Sequence, residues 1–352
     1  MIDLIIALIK VVGIWSFTLG VAAVMTWVER RGAALIQDRP GPNRAGLFGI
    51  LQPVCDGIKL FTKENIVPEK ADKVLFNLGP IMFAIPAFSA FAVIPFGDRI
   101  IIGGKEILLQ ISNIDIGFLY IVALGSLAVY GVIIGGWGSN NKYSILGGLR
   151  STAQLISYEV PWGLALLGVV LVYGTFNLRE IALAQQGTFL GILPNWGVFH
   201  QPLGFILFMV AAYAEANRVP FDLPEAESEI VSGYHTEYGS MKLGVYLFGE
   251  YVNITTLSAL TVTFYFGSWH LPYINMASFL GDGTIIYGIA SFLIFCLKVS
   301  FFLWLFVWVR WTVPRFRYDQ VMKLGWKSLI PLALFNLFIT TLFIQIKYYI
   351  GG

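Results

Sequence analysis

Residues 4–27 read "LIIALIKVVGIWSFTLGVAAVMTW", a run of 24 residues broken by a single charge. About 20 mostly apolar residues carry a helix across the hydrocarbon core of a bilayer. Backbone N–H and C=O groups find no water there, so a chain built from such runs is confined to helices that satisfy their own backbone. Seven more runs follow, at 74–96, 114–136, 152–174, 202–217, 241–267, 284–309 and 328–350. The fifth of the eight is the shortest and contains Glu215. Only 12% of the chain is charged and 57% is hydrophobic, whereas a soluble domain is about a quarter charged. The first run ends in "WVERRG" with no small-residue cleavage site, so it reads as a retained span and not a removed signal peptide.

Lys and Arg set the expected orientation. The connections after spans 1, 3, 5 and 7 hold 17 of them, counting Lys242 at the edge of span 6; those after spans 2, 4 and 6 hold three. Basic residues collect on the cytoplasmic side. Both termini are therefore expected on the outer side, with the four odd-numbered loops in the cytoplasm.

The first loop is long enough to hold structure of its own. "DRPGPNRAG" breaks the chain with two prolines and two glycines. Leu47, Ile50, Leu51, Val54, Ile58 and Phe61 then recur at helical spacing, with Asp56, Lys59 and Lys63 elsewhere on the wheel. This predicts an amphipathic helix over about 47–63 lying along the cytoplasmic membrane surface. The alternative is an ordinary amphipathic helix packed on the protein. The fold class expected is an all-α membrane protein, with eight transmembrane helices plus this surface helix in a single polytopic domain over 1–352.

Ionisable groups inside spans are costly and usually face a bundle interior or a water-filled cavity. Glu159, in "SYEVPWG", lies about 10 Å into span 4, and Glu250, in "FGEYVN", about 13 Å into span 6. Glu215 stands three residues before Arg218, on the same helical face. Lys298 sits at the middle of span 7. One reading is a set of buried ion pairs, for instance Lys298 with one of the glutamates. Three glutamates against one lysine and one arginine leave at least one carboxylate without a cation. A carboxylate unpartnered in low dielectric exchanges protons near neutrality, and several in series form a relay. At the end of span 1, Arg30 and Arg31 read as inner-face anchors, with Glu29 paired to one of them.

Residues 219–238, "VPFDLPEAESEIVSGYHTEY", carry five of the 21 acids and no Lys or Arg. Phe221, Leu223, Ile230 and Val231 are interleaved with the acids, and two prolines stiffen the start. An acidic loop over about 218–240 between two carboxylate-bearing spans suggests an entrance where charge is gathered; the alternative is a docking surface for a partner. Cys55 and Cys296 are isolated, so no iron–sulfur cluster is expected on this chain. His200 and His270 read as outer-surface residues, and the three histidines show no metal spacing. No phosphate-binding glycine loop, nucleophile–base pair or nucleic-acid patch is present in the sequence.

The stretches "VERRGAALIQDRPGPNRAGLFGILQPVCDGIKLFTKE", "ISYEVPWG", "AEANRVPFDLPEAESEIVSGYHTEY" and "VPRFRYDQVMKLGWK" resemble, in order and over essentially the whole chain, a known family. It is the family of the membrane H subunits of bacterial NADH–quinone oxidoreductases (respiratory complex I), which includes mitochondrial NADH dehydrogenase subunit 1. The resemblance implies a component of a bacterial inner-membrane translocase, bound to other membrane-arm and redox-arm subunits, quinone and lipids, and with no catalysis by the isolated chain. Quinone is its substrate; flavin and iron–sulfur clusters lie on partner subunits. Carried over by motif, Glu29, Arg30 and Arg39 match the quinone-tunnel entrance, flanked by the surface helix. Arg218, Phe221, Asp222, Glu225, Glu227 and Glu229 match the acidic loop facing the tunnel. Tyr130, Glu159, Glu215 and Glu250 match the carboxylate passage leading from it. The nearest alternative is the homologous membrane component of a proton-translocating hydrogenase or formate hydrogenlyase.

Overall fold

The computed structural model describes residues 2–189, 191–224 and 227–351. The helices run α1 (Ile2–Ile36), α2 (Gln52–Thr62), α3 (Lys73–Ser89), α4 (Gly117–Gly138), α5 (Lys142–Tyr173), α6 (Leu178–Ala184) and α7 (Gly197–His200). They continue through α8 (Pro202–Glu215), α9 (Glu227–Ile230), α10 (Ser240–Tyr265), α11 (Met276–Leu280), α12 (Ile285–Thr312), α13 (Tyr318–Lys323) and α14 (Ile330–Gly351). A π-helical turn, Leu324–Leu329, joins the last two. Two antiparallel hairpins, β1 (Arg99–Ile102) with β2 (Lys105–Leu108) and β3 (Thr188–Phe189) with β4 (Leu193–Pro194), are the only strands among the described residues. The protein is an all-α membrane protein.

Six helical segments are long and apolar enough to cross a bilayer: 4–36, 73–92, 117–138, 142–173, 285–312 and 318–349. The expected count of eight is not reached on that measure, and the two exceptions have different causes. Helix α10 is 26 residues long but carries Thr255, Thr256, Ser258, Thr261 and Thr263, all buried. A helix surrounded by protein does not need lipid-facing apolar side chains, so hydropathy under-reads it. Its threonines donate back to the fourth preceding carbonyl, as Thr256 does to Val252 at 3.0 Å and Thr261 to Leu257 at 2.8 Å. Helix α8 has 14 residues, about 21 Å, short of the ~30 Å core. It starts inside the protein: at its N-cap, Gln201 donates to Thr340 Oγ1 at 2.6 Å and accepts from Asn336 Nδ2 at 2.8 Å, both on α14.

The connections separate onto two ends, in the alternation expected from the sequence. At one end, loop 1 meets the start of α10, where Ser240 Oγ donates to the Leu60 and Lys63 carbonyls at 3.1 and 2.8 Å. There too Arg150 pairs with Glu229 at 2.5 Å and Arg315 with Asp222 at 2.6 Å. At the other end, Arg99 at the start of β1 pairs with Asp282 at 2.5 Å, and Arg179 of α6 with Asp98 at 2.6 Å. Between the ends, α3 and α4 pack backbone to backbone. A Cβ on Gly131 would lie 2.5 Å from the Phe83 backbone nitrogen, so only glycine permits that approach.

The surface helix of the first loop forms, though its start is modified. A 3₁₀ turn, Leu47–Gly49, precedes α2. Phe48, Leu51, Val54, Ile58 and Phe61 are all more than half exposed. On the polar side Asp56 pairs with Arg30 of α1 at 2.6 Å, while Lys59 and Lys63 are exposed. The helix packs on α1 and α10 through its other side and leaves its apolar face uncovered within this chain.

Candidate functional site: buried carboxylates and their partners

Successive residues on a helix point about 100° apart, and positions 29 to 31 of α1 diverge accordingly. Arg30 turns outward to Asp56. Arg31 donates to the Pro42 carbonyl at 3.2 Å. Glu29 turns into the bundle, where it accepts from Arg310 of α12, from Tyr251 Oη at 2.9 Å, and lies 3.6 Å from Arg218. The expected pairing of Glu29 with Arg30 or Arg31 is thus corrected: its cations come from distant segments.

Arg218 continues the chain. Its guanidinium stands 4.8 Å above the Tyr251 ring and 3.6 Å from Glu250. Glu250 also accepts from Tyr234 Oη at 3.0 Å. Two carboxylates, two guanidiniums and two tyrosine hydroxyls therefore form one network in which charges balance, the condition for burying them. Arg310, Tyr234 and Tyr251 were not singled out from the sequence. Only Arg310 carried a signal, as a cation at the inner end of span 7.

Glu159 and Glu215 form a second group. Both line a cavity of about 50 Å³, with Phe83, Ile121, Trp162 and Asn253 among its walls. On volume alone it has room for about three water molecules. Glu159 accepts from Ser126 of α4. Glu215 Oε2 has no hydrogen-bond partner among the described residues, and neither glutamate has an ion-pair partner there. The two groups adjoin through α10: Asn253 lines the cavity, donates to the Glu215 carbonyl at 3.2 Å, and follows Glu250 by three residues on the same helical face. Ser126 and Asn253 gave no sequence signal, since neutral polar side chains are common within spans.

Tyr130, assigned to the same passage by resemblance, is 54% exposed and absent from the cavity wall. It sits on the outward side of α4, between the packed residues Val129 and Gly131. In this chain it does not join the glutamates. Lys298 does not join them either. Its ammonium donates to the Phe266, Ser268 and His270 carbonyls at 2.7, 2.8 and 2.6 Å and lies 4.7 Å from the Trp196 ring. It caps the C-terminal end of α10, where carbonyls lack helical partners. The suggested Lys298–glutamate pair is corrected accordingly. His270, expected at the surface, is 9% exposed, and burial pushes its imidazole down to about 4, with Asp98 opposing and Lys298 assisting.

The acidic loop is docked, not free. Phe221, Asp222 and Leu223 are buried. Phe221 packs between Tyr158, at 5.3 Å, and Phe316, at 5.5 Å. Asp222 accepts from Arg315, and the Phe316 N–H donates to the Pro220 carbonyl at 3.0 Å. The loop is thereby pinned to the segment after α12. Glu229 is exposed and paired with Arg150 of α5. Glu225 and the Glu227 side chain lie outside the described residues. Around the loop's far end, Tyr238 stacks on Phe76 at 4.1 Å and donates to its carbonyl at 2.9 Å; burial raises its hydroxyl to about 12.

Of the three residues expected at an entrance, one lines a cavity. Arg39, with Arg31, Leu35, Pro40, Leu47 and Phe48, borders an open pocket of about 610 Å³ between the end of α1 and the start of the surface helix. That volume lies in the range of small-molecule sites, and its mix of guanidinium donors and apolar wall suits a ligand with a polar head and a greasy tail.

Helices long enough to span a bilayer around buried paired and half-buried unpaired carboxylates define a polytopic membrane protein with an ionisable interior. Residues 9–341 match the model of the NADH dehydrogenase family. A relative from Cytophaga hutchinsonii, named as H subunit 1 of an NADH-quinone oxidoreductase, is 50% identical over 332 residues, 94% of each chain. A Geobacter metallireducens protein of the same name and a Bdellovibrio bacteriovorus H subunit are 47% and 44% identical, each over 96% of both chains. The chain belongs to the NADH dehydrogenase family, among the H subunits of its NADH-quinone oxidoreductases.

Proposed function

We propose that this chain forms the quinone entrance and the first part of the proton path of a membrane-bound NADH–quinone oxidoreductase. In this reading its partners are the other membrane-arm and redox-arm subunits, quinone is its substrate, and both termini face the periplasm. The observation that carries the proposal is the shared cavity of Glu159 and Glu215, neither with a cation among the described residues, next to the balanced Glu29–Arg218–Glu250–Arg310 network.

Two-electron reduction of a quinone creates negative charge that two protons must neutralise. One unit charge at about 10 Å in an effective dielectric near 20 is worth about 1.7 kcal/mol, a little over one pKa unit. That suffices to change the protonation of a poised carboxylate. Arg218 is placed to pass the change on: it contacts Glu29 and Glu250 on its two nitrogens, and the α10 turn after Glu250 carries Asn253 to Glu215. The pocket at Arg39 receives the quinone from the bilayer surface, on which α2 lies.

The test is Glu215→Gln in the intact assembly. Quinone-linked turnover and proton translocation are expected to fall together by at least tenfold, a barrier rise of about 1.4 kcal/mol, while reduction of a soluble artificial acceptor persists. Wild-type turnover and pumping in that variant would remove Glu215 from the path.

A further inference from the structure

On the outer, lipid-facing side of α1 a second polar contact stands apart from both carboxylate groups. Lys10 Nζ donates to the Gln110 carbonyl at 3.2 Å, leaving two of its three N–H donors available. The Gln110 side chain is 2% exposed and donates from Nε2 to the Val93 carbonyl at 2.6 Å. Its Oε1 is buried with no donor among the described residues. Beside these two residues Gly13, Ile14, Phe17, Phe96, Leu108 and Phe292 wall an apolar trough of about 250 Å³. Nothing lies within 4 Å of a Cβ built on Gly13, so the trough is open along α1.

We propose that this trough binds a phospholipid of the outer leaflet. Its phosphate sits on the Lys10 ammonium, and an acyl chain lies along Gly13 and Phe17. Level, charge and shape each point to that occupant. Lys10 and Arg30 are separated by 20 positions of one helix, about 30 Å of rise and the thickness of the hydrocarbon core. Lys10 is therefore at the outer headgroup level when Arg30 is at the inner one. An apolar helix from a neighbouring protein of the assembly would fill the trough but leave the two remaining donors of the Lys10 ammonium unmet, which burial penalises. A phospholipid supplies the anion and the chain together.

The test is mass spectrometry of phospholipid retained by the whole assembly, isolated through a tag on this chain and washed exhaustively with mild detergent. Wild type and Lys10→Arg are expected to keep about one more phospholipid per chain than Lys10→Met. Gly13→Leu, which fills the trough and leaves Lys10 in place, is expected to lose the same lipid, and it carries the test should Lys10→Met fail to assemble. Equal lipid content in wild type and Gly13→Leu, or side chains of a neighbouring protein occupying the trough in an image of the assembly, would overturn the proposal.

Discussion

Arg218 and Glu250 face each other at 3.6 Å, with side chains only 6% and 5% exposed. Each compensates charge that would otherwise be costly to bury. Removing Arg218 takes a guanidinium from Glu250 and one of two cations from Glu29. Arg218→Met is expected to destabilise the chain by about 3–5 kcal/mol, the range for breaking a buried pair on one side. Arg218→Met with Glu250→Gln should recover part of that loss, because the uncompensated charge is gone. Thermal unfolding of both variants in the same detergent checks it; strictly additive losses would show that the two residues do not interact.

The Asp222–Arg315 pair pins the acidic loop to the segment after α12 at 2.6 Å. Asp222→Asn keeps the shape and removes the charge. It is expected to slow quinone reduction several-fold with native assembly and an unchanged artificial-acceptor rate. Unaltered quinone kinetics would mean that the loop serves for docking alone.

His270 gives the outer end a pH dependence. Burial holds its imidazole at about 4 against an ordinary 6.5, so below 6.5 the unfolded chain binds more protons than the folded one. Stability from this group is full above 6.5 and is lost as pH falls towards 4, by roughly 3 kcal/mol in all. His270→Gln should flatten the fall of the unfolding temperature between those values. An identical slope in the variant would assign the acid sensitivity elsewhere.

Gly131 has no room for a methyl group, since Phe83 backbone stands 2.5 Å from where it would go. Gly131→Ala is expected to destabilise the α3–α4 contact by about 1–3 kcal/mol, the usual range for overpacking. Hydrogen exchange at α3 and α4 amides would report it as faster opening, and unchanged protection would contradict the packing.

What the sequence made legible follows from what each signal measures. Hydropathy picked out all eight runs, yet only six of the helices are long and apolar enough to cross a bilayer on their own: α8 is short, and α10 is lined with buried hydroxyls. Glutamates stand out against apolar neighbours, and Glu159, Glu215 and Glu250 read as one series; the first two share a cavity, while Glu250 sits in the adjoining charged network. Partners are another matter. Glu29 and Arg310 lie 281 positions apart, and no local spacing links them. Lys298 could be identified as buried but not matched, because the carbonyls it holds belong to a loop with no side-chain signature. Tyr130 illustrates the converse: a residue assigned by resemblance is exposed in this chain and absent from the cavity wall.

The most direct measurement is redox-induced infrared difference spectroscopy on the intact assembly, following carboxylic C=O bands as quinone is reduced. Protonation changes at Glu159 and Glu215 should appear as such bands in wild type, and Glu159→Gln and Glu215→Gln should each abolish a part of them. Bands that persist unchanged in both variants would mean that the protonation of these carboxylates does not change in the reaction, and the proton path would have to run elsewhere.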